Sequence, residues 1–352
     1  MAEALRLAVA GTGLKAFDYS RGWLRMPDVD FVAAADVNPA ACERFAELCV
    51  AAGRPRPSLF SDLGALLAEK RGSLDAVYIS TPHVFHADQA IAVTREGIDL
   101  LLEKPMVTSL ADAERLIAAR QASGTTLVVA FQGALSPLVR DTRARAVAGE
   151  FGELVSISAT IWEDWAERYA GQWKQQPEIS GGGFMFDTGA HMMNTVCMLA
   201  GSEFERVSAY MNNRGRPVDI LCAVAARLRN GAVVTLNAAG EGPAQCASQI
   251  ALFFTQAIVR IDAWGAWREI ALSRDGGPRE MAETIDNPLR VFIDVRAGRM
   301  ENPSPAEDGR HFARLWEAIK ASAARDGTAV AIAGSGKPRS SIDAFGESSA
   351  TR

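Results

Sequence analysis

The sequence predicts a two-domain α/β protein: a doubly wound parallel sheet, then an α/β domain built on a large open, mainly antiparallel sheet. Three observations predict it. Up to about residue 128, short apolar runs alternate with amphipathic stretches. After about residue 130, strand-like segments alternate polar and apolar residue by residue. A hairpin dipeptide, Asn230-Gly231, joins two of these later segments.

In the first part, "LRLAVAG" (5–11), "FVAAAD" (31–36), "LDAVYIST" (74–81), "IDLLLEK" (98–104) and "TLVVAFQ" (126–132) read as strands. Their unbroken apolar character suits parallel strands covered on both faces. The helical patterns "PAACERFAELCVAAG", "DLGALLAEKRG", "HADQAIAVTREG" and "SLADAERLIAARQASG" lie between them, the last with Ser109 as its expected N-cap. In the second part, "ELVSISATIWED" (153–164) alternates like an antiparallel strand. Residues 218–240 read as a hairpin and 248–272 as two or three further strands. One helix, "GFMFDTGAHMMNTVCMLAG", is inserted between strands, another (306–327) closes the fold, and "VAIAG" reads as a final short strand. The expected division is 1–128, 129–333, and a disordered tail over 334–352, which is poor in aliphatic residues.

The length of 352 residues fits about two domains. A net charge of −5 with no basic block argues against nucleic-acid or anionic-membrane partners. Five cysteines, an odd number with no CxxC pair, point to reduced thiols and to no metal site. The longest apolar runs are too short to cross a bilayer, and a strand pattern from Leu5 leaves no room for a leader. A cytoplasmic globular protein is the expectation.

"VAGTGLKA" places Gly11, Thr12, Gly13, Leu14, Lys15 and Ala16 where the first strand turns into a helix. In such a turn the first glycine permits the bend and the second admits a pyrophosphate. The small residue packs helix on sheet, and the helix N-terminus supplies amide donors. Asp36, at the end of the second strand, can take both ribose hydroxyls and repels a 2′-phosphate, so NAD is favoured over NADP. Capping of the following helix is the ordinary alternative for Asp36. "LLLEKPM" puts Glu103, Lys104 and Pro105 at a parallel strand's carboxyl end, with Pro105 a candidate cis residue. The preceding strand ends in Ser80, Thr81 and Pro82, with His83 and His86 aimed at the same crevice. In "GGGFMFDTGAHMM", Asp187 and His191 lie four apart and Asn194 continues their stripe, so on one helix the two can meet. The glycines let the backbone pass a flat ring without a Cβ clash.

These motifs, in this order and spacing, resemble the Gfo/Idh/MocA oxidoreductases over about residues 5–333. The resemblance implies a Rossmann domain and a C-terminal domain whose open sheet forms homodimer or homotetramer contacts. It also implies a nicotinamide cofactor and hydride exchange with a carbinol carbon of a sugar, cyclitol or related polyol. Carried over, Lys104, Asp187 and His191 are the catalytic residues and Glu103 a cofactor neighbour. Two departures stand out: Asn194 replaces an aspartate common in relatives, and "FQGALSP" replaces an arginine- and aromatic-rich segment. Gln132 in that segment, Asn194, and Trp162, Arg168, Trp173 and Lys174 of an aromatic stretch are the candidate substrate contacts. Packing at a domain or subunit contact explains the aromatic stretch equally well. Two other functions stay open on sequence: a redox-neutral NAD-dependent glycosidase or isomerase, and a non-catalytic dinucleotide sensor.

Overall fold

The computed structural model describes residues 4–243, 245–272, 276–283 and 287–334. The expected disordered tail, apart from Gly334, lies outside the described residues. The chain forms two compact units, one from residues 1–130 and 287–307, the other from 131–286 and 308 onward.

The first unit alternates strand and helix: β1 (Leu5–Ala10), α1 (Leu14–Trp23), β2 (Val29–Ala35), α2 (Pro39–Ala51), β3 (Ser58–Phe60), α3 (Leu63–Lys70), β4 (Ala76–Ile79), α4 (His86–Arg95), β5 (Asp99–Leu102), α5 (Leu110–Ser123) and β6 (Leu127–Val129). Its six strands are all parallel, in the order β3-β2-β1-β4-β5-β6. Leu7 to Ala10 of β1 and all of β4 are buried, which explains their unbroken apolar runs. The order reverses between β1 and β4, and ligands of such sheets bind outside the carboxyl ends at that point. Strand β3 was not expected from sequence, because three half-buried residues carry no pattern. Helix starts follow side-chain chemistry. Ser109 Oγ accepts the Asp112 amide at 3.1 Å, and Asn38, ahead of Pro39, accepts that of Ala40 at 3.1 Å.

The second unit opens with α6 (Gln132–Leu135) and α7 (Pro137–Val147), then β7 (Leu154–Trp162). The short helices α8 (Trp165–Arg168), α9 (Pro177–Ser180) and α10 (Phe184–Asp187) lead to α11 (Gly189–Leu199). Strands β8 (Phe204–Asn212), β9 (Leu221–Leu228), β10 (Val233–Ala239), β11 (Ala247–Phe254), β12 (Ile258–Ile261), β13 (Trp267–Ala271) and β14 (Arg279–Met281) follow. Helix α12 (Pro288–Arg296) then rejoins the first unit. There Arg290 pairs with Asp28, Arg296 with Asp99, and the Val129 amide donates to Ser304 O. This return is absent from a division drawn at residue 128, because it rests on contacts between distant residues. From residue 308 onward α13 (Ala306–Ala323) belongs to the second unit, where β15 (Val330–Ala331) is the last element among the described residues.

The second sheet has nine strands, ordered β14-β13-β12-β11-β7-β10-β9-β8-β15. All neighbours are antiparallel except β7 and β10, so the strand expected to be antiparallel is parallel on one side. In the β9–β10 hairpin, Leu228 N–H donates to Ala232 O and Gly231 has φ +91°. The hairpin therefore closes with a left-handed glycine at its third loop position. Helix α11 is buried on nearly every side, so its Met, Val and Leu side chains each contribute about 1.5–3 kcal/mol of burial. No helix among the described residues is long and apolar enough to cross a membrane.

Candidate active site

In the first unit the β1–α1 turn has the form a dinucleotide needs. Gly11 has φ +85°, and a Cβ there would lie 2.7 Å from Ser80 backbone atoms at the end of β4. Only glycine fits, for both reasons. A Cβ on Gly13 would meet nothing within 4 Å, so space is open beside its backbone. Helix α1 begins there without a side-chain cap or an acidic first-turn residue, which leaves its first amides and its positive end for an anion. Leu14 is exposed, and Lys15 Nζ sits 4.7 Å over the Tyr19 ring. Asp36 Oδ2 accepts the Thr12 amide at 2.7 Å and the Thr12 hydroxyl at 3.1 Å, while Oδ1 accepts the Asn38 amide at 2.8 Å. Asp36 thus braces the turn at the tip of β2, and Asn38 performs the helix capping. The following residue, Val37, is fully displayed and carries no charge. These residues fit a dinucleotide: free amides, open space at Gly13 and a carboxylate one strand away.

The ends of β4 and β5 are tied together by a histidine. His86 is buried, with Nδ1 2.8 Å from Pro105 O and Nε2 2.8 Å from Thr81 O. Both ring nitrogens are committed to backbone carbonyls, so His86 braces the two loops beside which the sequence placed the cofactor. Burial pulls its pKa below the ordinary histidine range, against the opposing pull of the two carbonyls. His83 is also buried, its ring edge-on to His86 at 5.8 Å. Ser80, Pro82 and Thr81 are half-buried, and the Thr81 hydroxyl donates to Gln89 Oε1. Glu103 turns inward, where its carboxylate accepts Tyr78 Oη–H at 2.9 Å and the Lys104 amide at 3.2 Å. The Lys104–Pro105 peptide is cis, and Lys104 stands half-buried just beyond β5.

In the second unit the glycine run makes room for neighbours that the sequence did not announce. Gly181, with φ +76°, ends α9. A Cβ on Gly182 would lie 2.5 Å from the Trp316 ring, and one on Gly183 2.0 Å from Asp219 O. The glycines therefore admit neighbours from their own unit, which no local reading could foresee.

The helix behind them is broken between α10 and α11, where His191 N–H reaches Thr188 O. Asp187, buried, accepts on Oδ2 from Trp165 Nε1 at 2.9 Å and from Lys174 Nζ at 2.6 Å. The Lys174 ammonium also lies 4.1 Å from the Tyr169 ring centroid. His191 is 8% exposed, edge-on to Phe131 at 6.2 Å and tilted against Trp264 at 5.7 Å. Asn194 is buried beyond it on α11, its Oδ1 without a hydrogen-bond partner among the described residues.

A second buried carboxylate, Glu163, accepts from Thr188 Oγ1 at 2.7 Å and from Arg168 Nη1 at 3.1 Å. Glu163, Thr188, Phe131 and Trp264 were not expected at the site, and Trp165 only as one ring of an aromatic stretch. The aromatic density of 161–178 was a signal for Trp165, and nothing local marks the others. Trp162 shares the alternation of Ser158 and Thr160, so it faces away from the buried Ile157, Ala159 and Ile161 against which α11 packs. It does not join Asp187. Trp173 and Gln132 are half-buried.

The profile for an oxidoreductase family with an NAD-binding Rossmann fold matches residues 5–131, and that for a GFO/IDH/MocA C-terminal domain matches 139–260. The chain belongs to the Gfo/Idh/MocA family. Its first unit is the NAD-binding Rossmann domain of that family. A Gfo/Idh/MocA relative, the 1-carboxy-3-chloro-3,4-dihydroxycyclohexa-1,5-diene dehydrogenase of Comamonas testosteroni, is 27% identical over 59% of this chain and 50% of its own. The chain spans about half the length of the curated relatives it matches first. Among solved structures, the WlbA dehydrogenase of Bordetella pertussis, in complex with NADH and UDP-GlcNAcA, is 25% identical. It covers 94% of this chain and 100% of its own with a TM-score of 0.78. An aldose-aldose oxidoreductase from Caulobacter crescentus, complexed with glycerol, shares the Gfo/Idh/MocA fold at 21% identity and a TM-score of 0.80 (94% and 100% covered).

Proposed function

We propose that this chain is an NAD-dependent dehydrogenase or reductase acting on a carbinol carbon of a sugar, cyclitol or related polyol. The observation that carries the reading is one combination in a member of this family. Lys104 stands at the end of β5, and Asp187 and His191 sit on a buried helix pair. A protein that only senses a dinucleotide has no use for a lysine, a carboxylate and an imidazole in these places.

Bound NAD would supply the nicotinamide carbon that accepts hydride. Gly13 and the first amides of α1 would hold its pyrophosphate, and Asp36 its adenosine ribose. Lys104 is assigned the holding of the reacting oxygen, where an ammonium favours developing alkoxide charge. His191 is assigned the hydroxyl proton, which a neutral imidazole accepts near neutral pH. Asp187, pinned by Lys174 and Trp165, is assigned the orientation and electrostatic support of that imidazole. Gln132, Arg168, Trp173, Lys174 and Asn194 are the side chains we assign to substrate recognition. NAD is favoured over NADP because Asp36 is anionic and Val37 offers no cation to a 2′-phosphate.

The second unit's open sheet face supports a homo-oligomer. The cross-strand row Gln249, Thr160, Asn237, Ala223, Tyr210 carries no charge. Neither does the row Ala251, Ser158, Thr235, Ala225, Ser208, and Tyr210 and Val233 are more than half exposed on this face.

The test is reduction of NAD and of NADP against a panel of aldoses, cyclitols and anhydrosugars, with His191→Ala beside the parent. Loss of a general base lowers turnover by ~10²–10⁴-fold, and NAD affinity should be retained. Equal turnover of variant and parent removes His191 from the mechanism. Turnover without net NADH would instead indicate redox-neutral chemistry.

A further inference from the structure

The residue that fastens the Asp187–His191 segment lies in another part of the second unit. Asp219, just ahead of β9, is buried and accepts three consecutive amides at the start of α10. Its Oδ1 takes Gly183 N–H at 2.7 Å, its Oδ2 takes Met185 N–H at 3.0 Å, and its main-chain oxygen takes Phe184 N–H at 2.8 Å. These are donors a helix start cannot satisfy internally. The approach is so close that residue 183 must be glycine, as the 2.0 Å contact of a notional Cβ with Asp219 O requires.

The linkage runs onward to the candidate catalytic side chains. Gly183 O accepts the Asp187 amide at 2.9 Å, and Thr188 O accepts that of His191 at 3.1 Å. On the far side, Gly240 N–H donates to Ile220 O at 2.8 Å, and a Cβ on Gly240 would strike the Phe184 ring. The segment carrying Asp219 and the helix carrying Asp187 are therefore locked residue by residue.

Such a cap is costly. Among the described residues Asp219 makes no ion pair, and burial outweighs its two amide bonds and raises its pKa above the usual carboxylate value. Serine or asparagine caps a helix without placing a buried charge there. What the carboxylate adds is a hold on two amides through two rigid oxygens, which defines the direction in which α10 leaves the glycine run.

We propose that Asp219 is a positioning residue, whose carboxylate sets the placement of Asp187 and His191 through the backbone of Gly183 to Thr188. The proposal rests on the assignment of those two side chains to the active site. It predicts consequences that can be read without any substrate.

Asp219→Asn presents one NH₂ to an amide that needs an acceptor, and Asp219→Ser keeps a single acceptor without overpacking. In the full-length protein, exchange of the Gly183 and Met185 amides should accelerate at least ~10-fold in either variant. The ¹H–¹⁵N signal of the Trp165 indole, which reports its bond to Asp187, should shift, as should the His191 ring signals. Trp165→Phe and His191→Gln assign those resonances. Accelerated exchange with unmoved Trp165 and His191 signals would make Asp219 a helix cap only and overturn the proposal; so would unchanged exchange. If Asp219→Asn fails to fold, the same measurements on Asp219→Ser decide. None of these readouts uses turnover, so activity retained in His191→Ala sinks the reading of the site while the anchor is judged separately.

Discussion

The Lys174 ammonium sits 2.6 Å from Asp187 Oδ2, an ion pair whose carboxylate side chain is 2% exposed and whose lysine is 22% exposed. Trp165 Nε1–H shares the same oxygen. The sequence assigned the lysine to substrate and the aspartate to His191, and gave no sign that the two also engage each other. A buried carboxylate with a close cation and an indole donor is fixed in place.

Breaking this pair strands a charge. Lys174→Met should destabilise the protein by about 3 kcal/mol, since removing one partner of a buried pair leaves the other uncompensated. Asp187→Asn in the Lys174→Met background should recover much of that loss. Urea unfolding of the four proteins of the cycle checks this; additive losses would show that the pair contributes nothing beyond its separate members.

Gly11→Ala tests the β1–α1 turn. A left-handed backbone costs a residue with a Cβ about 1–2 kcal/mol, and contact with Ser80 adds to that. We expect a lower melting temperature and loss of NAD binding by titration. Gly13→Ala, with open space around its Cβ, should keep its melting temperature and lose only the cofactor.

Coenzyme choice should follow Asp36. Replacing it with serine removes the charge facing a 2′-phosphate, so the ratio of kcat/KM for NADP over NAD should rise at least ~10-fold, or roughly 1.4 kcal/mol. The Thr12 bonds to Asp36 predict some loss with NAD as well. An unaltered ratio would mean that Asp36 only braces the turn.

Acid stability should depend on the returning segment. The Arg290 guanidinium holds the Asp28 carboxyl below the ordinary value of 3.8, and Arg6 does the same for Asp75. A depressed folded-state pKa stabilises above the unfolded value, and this contribution is lost as pH falls through the folded one. Denaturant midpoints should therefore drop steeply below about pH 4. In Arg290→Met the neutral-pH midpoint should be lower and the acid decline shallower; parallel curves would exclude the pair from the effect.

Subunit association should depend on the two uncharged rows of the open sheet face. Ala225→Arg puts a cation opposite Thr235, at the middle of that face. Light scattering behind size exclusion should show a smaller particle than the parent, with unchanged NAD binding. An unchanged mass would place any interface elsewhere.

Much of the architecture was legible before folding was considered. Five of the six parallel strands show as apolar runs because both their faces are buried. The glycine turn and Asp36 show because a phosphate-binding loop needs particular residues at particular places in the local chain. The lysine after β5 and the Asp187–His191 spacing were legible for the same reason. What could not be read were the partners. Nothing near Gly183 indicates that its missing Cβ makes room for Asp219, or that Glu163 takes the Thr188 hydroxyl.

By itself, then, the sequence determined the alternation of most parallel strands with helices, the dinucleotide turn and the chemical groups available for catalysis. These depend on backbone preference and periodicity, which act over a few residues. Only the tertiary structure decided that Lys174 belongs to Asp187, that His86 spends both nitrogens on carbonyls and that Asp219 fastens the glycine run. Hydrogen bonds and ion pairs form between whichever groups the packed chain brings within about 3 Å, and sequence separation places no limit on which groups those are.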